Sequence, residues 1–173
     1  MQKTIPAASS RQERRVRRTR AMILSGFVQL MQQNPVKDIS VRELADLVDI
    51  NRSTFYLHYT DIYDLLEQTE NNLMEQLLPI IDIHQQNTFS EKLEQFFTVL
   101  SENQPLCRAL MSPNGDIAFV RKLENLIAEN GTKALRMISD EEELDAQDLK
   151  YVTSFFLSGC VGMIDIWLQN NCK

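Results

Sequence analysis

Apolar residues recur along this chain at intervals of three and four, and few β-branched runs alternate with polar residues, which predicts helices rather than sheet. Ile23, Phe27, Leu30 and Met31 share one face of a helix predicted over residues 11–33, and Asn34-Pro35 stops it. Val41, Leu44, Ala45 and Val48 form the apolar side of a short helix over 40–48. Its opening, Ser40-Val-Arg-Glu43, is a capping-box pattern: the serine hydroxyl accepts from a free amide and the glutamate reaches back. After a turn of three or four residues, Asn51 is placed to cap a second short helix running to His58 or Tyr59. Phe55 and Tyr59, four apart, would face inward.

A long helix follows from Asp61, striped by Ile62, Leu65, Leu66, Leu73 and Leu77, and Pro79 ends or kinks it. Phe89, Leu93, Phe96, Phe97 and Leu100 mark a fifth helix, residues 104–111 a short sixth, and Ser112-Pro-Asn-Gly115 a turn. The helix predicted over 116–138 has its weakest point at Asn130-Gly131, and an acidic run at 140–145 precedes the last helix, over 145–169. The expected fold is all-α with about eight helices. An amino-terminal three-helix domain over residues 1–60 is joined by the long helix to a helical bundle over 61–173.

Two short helices joined by a tight turn, the second with exposed polar residues, make a helix-turn-helix. Arg52, Ser53, Tyr56 and Leu57 would face out. A helix of that kind fits the major groove, where an arginine forks onto guanine while hydroxyls and tyrosines reach phosphates or a thymine methyl. A plain corner inside a helical bundle has the same spacing, so charge is needed to separate the two. The net charge of −6 is divided unevenly. Residues 1–60 hold ten Lys/Arg and five Asp/Glu, whereas residues 61–173 hold eight and nineteen, leaving +5 and −11. Within the basic part, RQERRVRRTR at 11–20 carries six arginines against one glutamate, a candidate phosphate-contacting arm.

Composition closes off other classes. At 43% apolar residues the chain is no disordered polymer. Three cysteines, Cys107, Cys160 and Cys172, have no CxxC spacing, which points to reduced thiols rather than a disulfide framework or zinc site. Residues 1–20 lack the apolar core of a signal peptide, and Asp165 interrupts the apolar stretch 151–168. A cytosolic protein that does not enter the membrane is therefore expected, with that stretch a buried or interface helix. His58 and His84 are the only histidines, and no phosphate loop, GxSxG or HExxH is present, so no enzyme, metal or cofactor is expected.

Residues 20–66 resemble the amino-terminal domain of the TetR family of bacterial transcriptional regulators. The resemblance is carried by Ile39-Ser-Val-Arg-Glu-Leu-Ala45, Ile50-Asn-Arg-Ser-Thr-Phe-Tyr-Leu-His-Tyr59, Asp61 and Asp64-Leu-Leu66. In the carboxy-terminal part, 110–116 and 158–168 are similar in style to one subgroup. The resemblance implies a homodimer setting two recognition helices on a palindrome in double-stranded DNA, usually a repressor released by a small-molecule effector. Carried over by position, Arg42, Asn51, Arg52, Ser53, Thr54, Tyr56, Leu57, His58 and Tyr59 would contact DNA. Tyr56 and His58 would mainly hold phosphates, and Arg52, Thr54 and Leu57 would discriminate bases. Arg14, Arg15, Arg17 and Arg18 would form the phosphate arm.

Two positions depart from the family pattern: Asp49 stands where many members have Gly, and Ile62 where many have Lys. The second departure leaves open a co-regulator on the same scaffold that acts through a protein partner. The end of the chain also looks short beside that subgroup, which would reduce the dimer interface. Phe96, Phe97, Leu100, Cys107, Met111, Phe155, Phe156, Met163 and Trp167 are candidates to line an effector cavity, although any helical core needs such residues. Gly159 and Gly162, beside Ser158, each cost ~1 kcal/mol in a helix interior, which close helix approach would offset. With Tyr151 and Phe155 they form the candidate dimer surface, although an intrachain contact would use glycine equally well.

Overall fold

The computed structural model describes residues 7–81, 88–138 and 146–172. Among these are eight α-helices and no strand: α1 (Ala7–Met31), α2 (Val41–Leu47), α3 (Arg52–Tyr56), α4 (Ile62–Ile81), α5 (Phe89–Glu102), α6 (Gln104–Met111), α7 (Ile117–Ile138) and α8 (Ala146–Gln169). A single 3-10 turn, Val36–Asp38, lies between α1 and α2. His84 and the acidic run at 140–145 fall outside the described residues, as do the side chains of Phe89 and Phe156.

The chain divides into two compact units, one ending at Thr69 and one beginning at Glu70. The division falls inside α4, which buries Ile62, Leu65, Leu66 and Thr69 in the first unit and Leu73, Met74 and Leu77 in the second.

In the first unit α1 changes character along its length. Residues 11–18 are exposed, whereas Ile23, Phe27, Val28, Leu30 and Met31 are buried. Gly26 is where α2 comes closest: a Cβ there would collide with Val48 Cγ1 and lie 3.1 Å from Leu44 Cδ1. Ser40 Oγ accepts from the Glu43 N–H at 3.1 Å, so the serine half of the expected capping box forms. The other end of α2 closes by a Schellman turn, with the Ile50 N–H donating to the Ala45 carbonyl at 3.0 Å and Asp49 at φ 52°.

In the second unit α5 opens on a complete capping box. Thr88 Oγ1 accepts from the Glu91 N–H at 3.3 Å, and the Thr88 N–H donates to Glu91 Oε2 at 2.8 Å. That hydrogen bond holds the Glu91 carboxyl below its ordinary pKa. Pro105, in the first turn of α6, lacks only an N–H that would have had no helical partner. Gly115 ends the turn after α6 because a Cβ there would strike the carbonyls of Ala109 and Leu110. Pro79 sits in the last turn of α4, which stops two residues later, and α7 runs unbroken through Asn130-Gly131.

α8 buries Thr153, Ile164 and Leu168, while Tyr151, Val152, Phe155, Met163 and Ile166 are exposed. At 100° per residue those five, with Ser158, Gly159 and Gly162, share one broad face. Over 150–169 the helix is also long and apolar enough to cross a membrane by length and composition.

Candidate nucleic-acid interface

The surface around the turn is built outward from Phe55. Its ring is fully buried and packs on the Tyr59 ring, with centroids 5.6 Å apart. Fixing Phe55 and Tyr59 inward turns the residues between and before them out. Asn51, Arg52 and Ser53 are exposed, Tyr56 is 57% and Leu57 80% exposed, and Thr54 and His58 are half-buried. An 80% exposed leucine gains nothing from the fold, so its apolar surface is free to meet another molecule.

Asn51 occupies the N-cap position of α3 with extended backbone, but its side chain makes no capping hydrogen bond. This corrects the expectation that the amide would cap the helix. The Asn51 carbonyl instead accepts from the N–H groups of Thr54 at 2.8 Å and Phe55 at 3.3 Å. The helix α3 is also shorter than expected: it ends at Tyr56, and His58 and Tyr59 lie beyond it.

Tyr59 belongs to the core more than to the surface, with its ring 8% exposed. Burial, which disfavours the phenolate, raises its pKa despite a nearby arginine. That arginine is Arg20, whose guanidinium lies 5.9 Å from the centre of the Tyr59 ring. Burial and then the Arg20 charge lower the pKa of His58, which favours the neutral imidazole. Arg20 was counted with the basic segment 11–20 but given no role of its own. The signal was present, because it lies seven residues before Phe27 and so shares its helix face, whereas Arg11, Arg14, Arg15 and Arg18 share the opposite one.

Arg14, Arg15, Arg17 and Arg18 are exposed on α1 itself, so the basic segment is part of the first helix, as expected for residues 11–33. Arg42 is 78% exposed and lies 3.8 Å from Asp46 one turn on, a surface pair that a phosphate can readily displace. Ile62, at the start of α4, is buried. The entry to α4 is pinned by two carboxylates. Asp61 Oδ1 accepts from the Asp64 N–H at 2.9 Å, and Asp64 accepts from the Thr60 N–H at 2.6 Å and from Gln68 Nε2 at 2.9 Å. The Thr60 and Gln68 bonds hold the Asp64 carboxyl below its ordinary pKa. Among the described residues no group of three His, Cys, Asp or Glu could hold a metal ion.

In the second unit Phe96, Leu100, Cys107 and Met111 line an interior cavity of about 30 Å³, together with Leu73 and Leu110. That is about the share of one water molecule in the liquid. Phe97 stacks edge-on against Trp167 with centroids 4.9 Å apart, and Met163 lies on the exposed face of α8. A wider open groove of about 880 Å³ runs between α4 and α7, lined among others by Asn71, Met74, Leu78, Ile117, Arg121 and Lys122.

Residues 87–173 match a TetR-type family model described as a transcriptional regulator C-terminal region. The chain belongs to the TetR family of transcriptional regulators. Among solved structures, a TetR transcriptional regulator from Streptococcus agalactiae aligns at 22% identity and a TM-score of 0.62, over 92% of this chain and 88% of that one. The fatty acid degradation regulator FadR from Bacillus halodurans aligns at 17% identity and 0.60, over 89% and 86%. The dihydroxyacetone kinase operon activator DhaS aligns at 20% and 0.54, over 87% and 84%. At these identities the likeness is one of fold: each neighbour, like this TetR-family chain, is built of helices. No curated protein matches the sequence significantly.

Proposed function

We propose that this TetR-family regulator is a homodimeric repressor that binds a palindromic operator in double-stranded DNA through α3 and the start of α2. The observation that carries the reading is the sorting of side chains around the turn. Phe55 and Tyr59 are taken inward, while Arg42, Asn51, Arg52, Ser53, Tyr56 and Leu57 stand exposed. Arg52, Thr54 and Leu57 discriminate bases, each contact contributing ~1–3 kcal/mol. Tyr56, His58, Arg42 and the α1 arginines hold phosphates. Arg20 fixes the Tyr59 ring from behind and adds a positive charge beside His58.

Dimerisation uses the exposed face of α8. A Cβ at Gly159 or Gly162 would meet nothing within 4 Å, so no contact among the described residues accounts for either glycine. Close approach of a second copy does, with Tyr151, Phe155 and Ser158 on the same face. For the effector, the α4–α7 groove has the volume of an ordinary ligand site, ~300–1,000 Å³, whereas the interior cavity does not. The groove is therefore the entry point assigned to the ligand.

The test is selection from a pool of random duplexes, with the winner titrated at two salt concentrations. The expected result is an enriched palindrome bound with a steep salt slope and lost in Arg52→Ala and Tyr56→Ala. No enrichment by folded, dimeric protein would overturn the reading in favour of a co-regulator acting through a protein partner. A reporter placed behind the selected operator decides the direction of control, since DhaS is named an activator.

A further inference from the structure

A single side chain ties the start of α6 to the end of α8. Gln104 donates from Nε2 to the Leu168 carbonyl at 3.0 Å and reaches Asn171 Oδ1 at 3.5 Å. Beyond that point the chain turns back on itself. Asn171 and Cys172 both take left-handed backbone, at φ 56° and 58°. The Asn171 N–H donates to the Leu168 carbonyl at 3.2 Å, and the Cys172 N–H to the Trp167 carbonyl at 3.0 Å. This closure folds Cys172 against the helix end that Gln104 already holds. Cys107 stands three residues after Gln104, on the same face of α6, and is buried at 3% exposure.

We propose that Cys107 and Cys172 are a redox pair: a hydroperoxide oxidises Cys172, and Cys107 then closes a disulfide that locks α6 to the end of α8. The electrostatics agree with that placement. The Cys107 thiol is pushed up to about 12, first by burial and then by the charge that a Cys172 thiolate places beside it. Cys172 is the more accessible of the two and reacts first. Its sulfur attacks the peroxide O–O bond and becomes a sulfenic acid, releasing one water when the oxidant is hydrogen peroxide. Cys107 loses its proton, its sulfur displaces hydroxide from the Cys172 sulfur, and the proton and hydroxide leave as a second water. The two thiols give up two electrons, which reduce one O–O bond, and a dithiol reductant reverses the step. Burial keeps Cys107 protonated at neutral pH, so its closing step quickens about tenfold per pH unit below its pKa.

The inference does not rest on the DNA reading, and its test contains no DNA. Full-length protein is treated with hydrogen peroxide, its remaining thiols are alkylated in denaturant, and peptides are mapped without reduction. The expected product is a Cys107–Cys172 link within single copies, with exposed Cys160 still alkylated. The link closes the loop containing α7 and α8, so the melting temperature rises by roughly 5–10 °C and falls back with dithiothreitol. Cys172→Ser abolishes both effects and Cys160→Ser keeps both. Over-oxidised Cys172 with Cys107 still alkylatable, or links between copies through Cys160, would overturn the proposal. If Cys172→Ser does not fold, the wild-type peptide map decides alone.

Discussion

Asp49 carries a backbone cost that substitution can expose. It occupies the left-handed position of the turn between α2 and α3, at φ 52°, and the Ile50 N–H bond to the Ala45 carbonyl depends on that geometry. A left-handed L-residue costs ~1–2 kcal/mol, with Asp toward the low end. Glycine removes the cost but loses ~0.5–1 kcal/mol of backbone entropy on folding. Asp49 also puts a negative charge past the C-terminus of α2, where any neutral residue recovers roughly 0.3 kcal/mol or more. Asp49→Gly should therefore stabilise the first unit by about 0.5 kcal/mol, and Asp49→Asn by about half that. In Asp49→Ala the worse backbone preference cancels or exceeds the charge gain. The chain's single tryptophan, Trp167, lies in the other unit and would report the wrong transition. The measurement is instead native-state amide exchange over residues 44–55, followed by mass spectrometry. Alanine matching glycine would refute the reasoning, because charge rather than left-handed backbone would then be the governing effect.

Three further outcomes are expected. Gly26→Ala drives a Cβ into Val48, a β-branched side chain with little rotamer freedom, and should cost ~1–3 kcal/mol in the first unit by the same exchange assay. Ile166→Glu puts a charge on the exposed face of α8, so sedimentation should show a folded monomer; an unchanged oligomer would move the interface elsewhere. Asp64→Asn weakens the bond from the Thr60 N–H. Because the folded carboxyl sits below its ordinary value of 3.8, its contribution is present above that pH and disappears as pH falls through the folded pKa. The stability difference between wild type and Asp64→Asn should accordingly be largest near neutrality and close up in acid, as followed by urea unfolding at each pH.

What the sequence made legible was periodicity. The first, second, fourth and fifth helices were visible as apolar stripes, because a single face at a spacing of three and four is what burial requires. Local exchanges of hydrogen bonds were harder to read. Asn51 has the right residue type for a cap, yet its backbone carbonyl takes the bonds and its side chain makes no capping hydrogen bond. The Thr88–Glu91 box passed unnoticed although its spacing matches the pattern recognised at Ser40–Glu43. The unit boundary inside α4 falls where Thr69 interrupts the apolar stripe between Leu66 and Leu73, a single polar position that periodicity alone does not single out.

The glycines of α8 show where sequence reasoning needs coordinates. A helix that spends ~1 kcal/mol on each of two interior glycines must recover it through close packing, but the sequence cannot say whether the neighbour belongs to the same chain. Among the described residues nothing lies within 4 Å of a Cβ at either position, and the same face exposes Tyr151, Phe155, Met163 and Ile166. Fully burying each such side chain contributes roughly 1.5–3 kcal/mol, so leaving four uncovered forgoes more than the glycines cost. A second copy applied along this face accounts for both. Under the proposed dimer, the neighbour is the same surface on another molecule, which a two-fold axis requires and which a palindromic site would read.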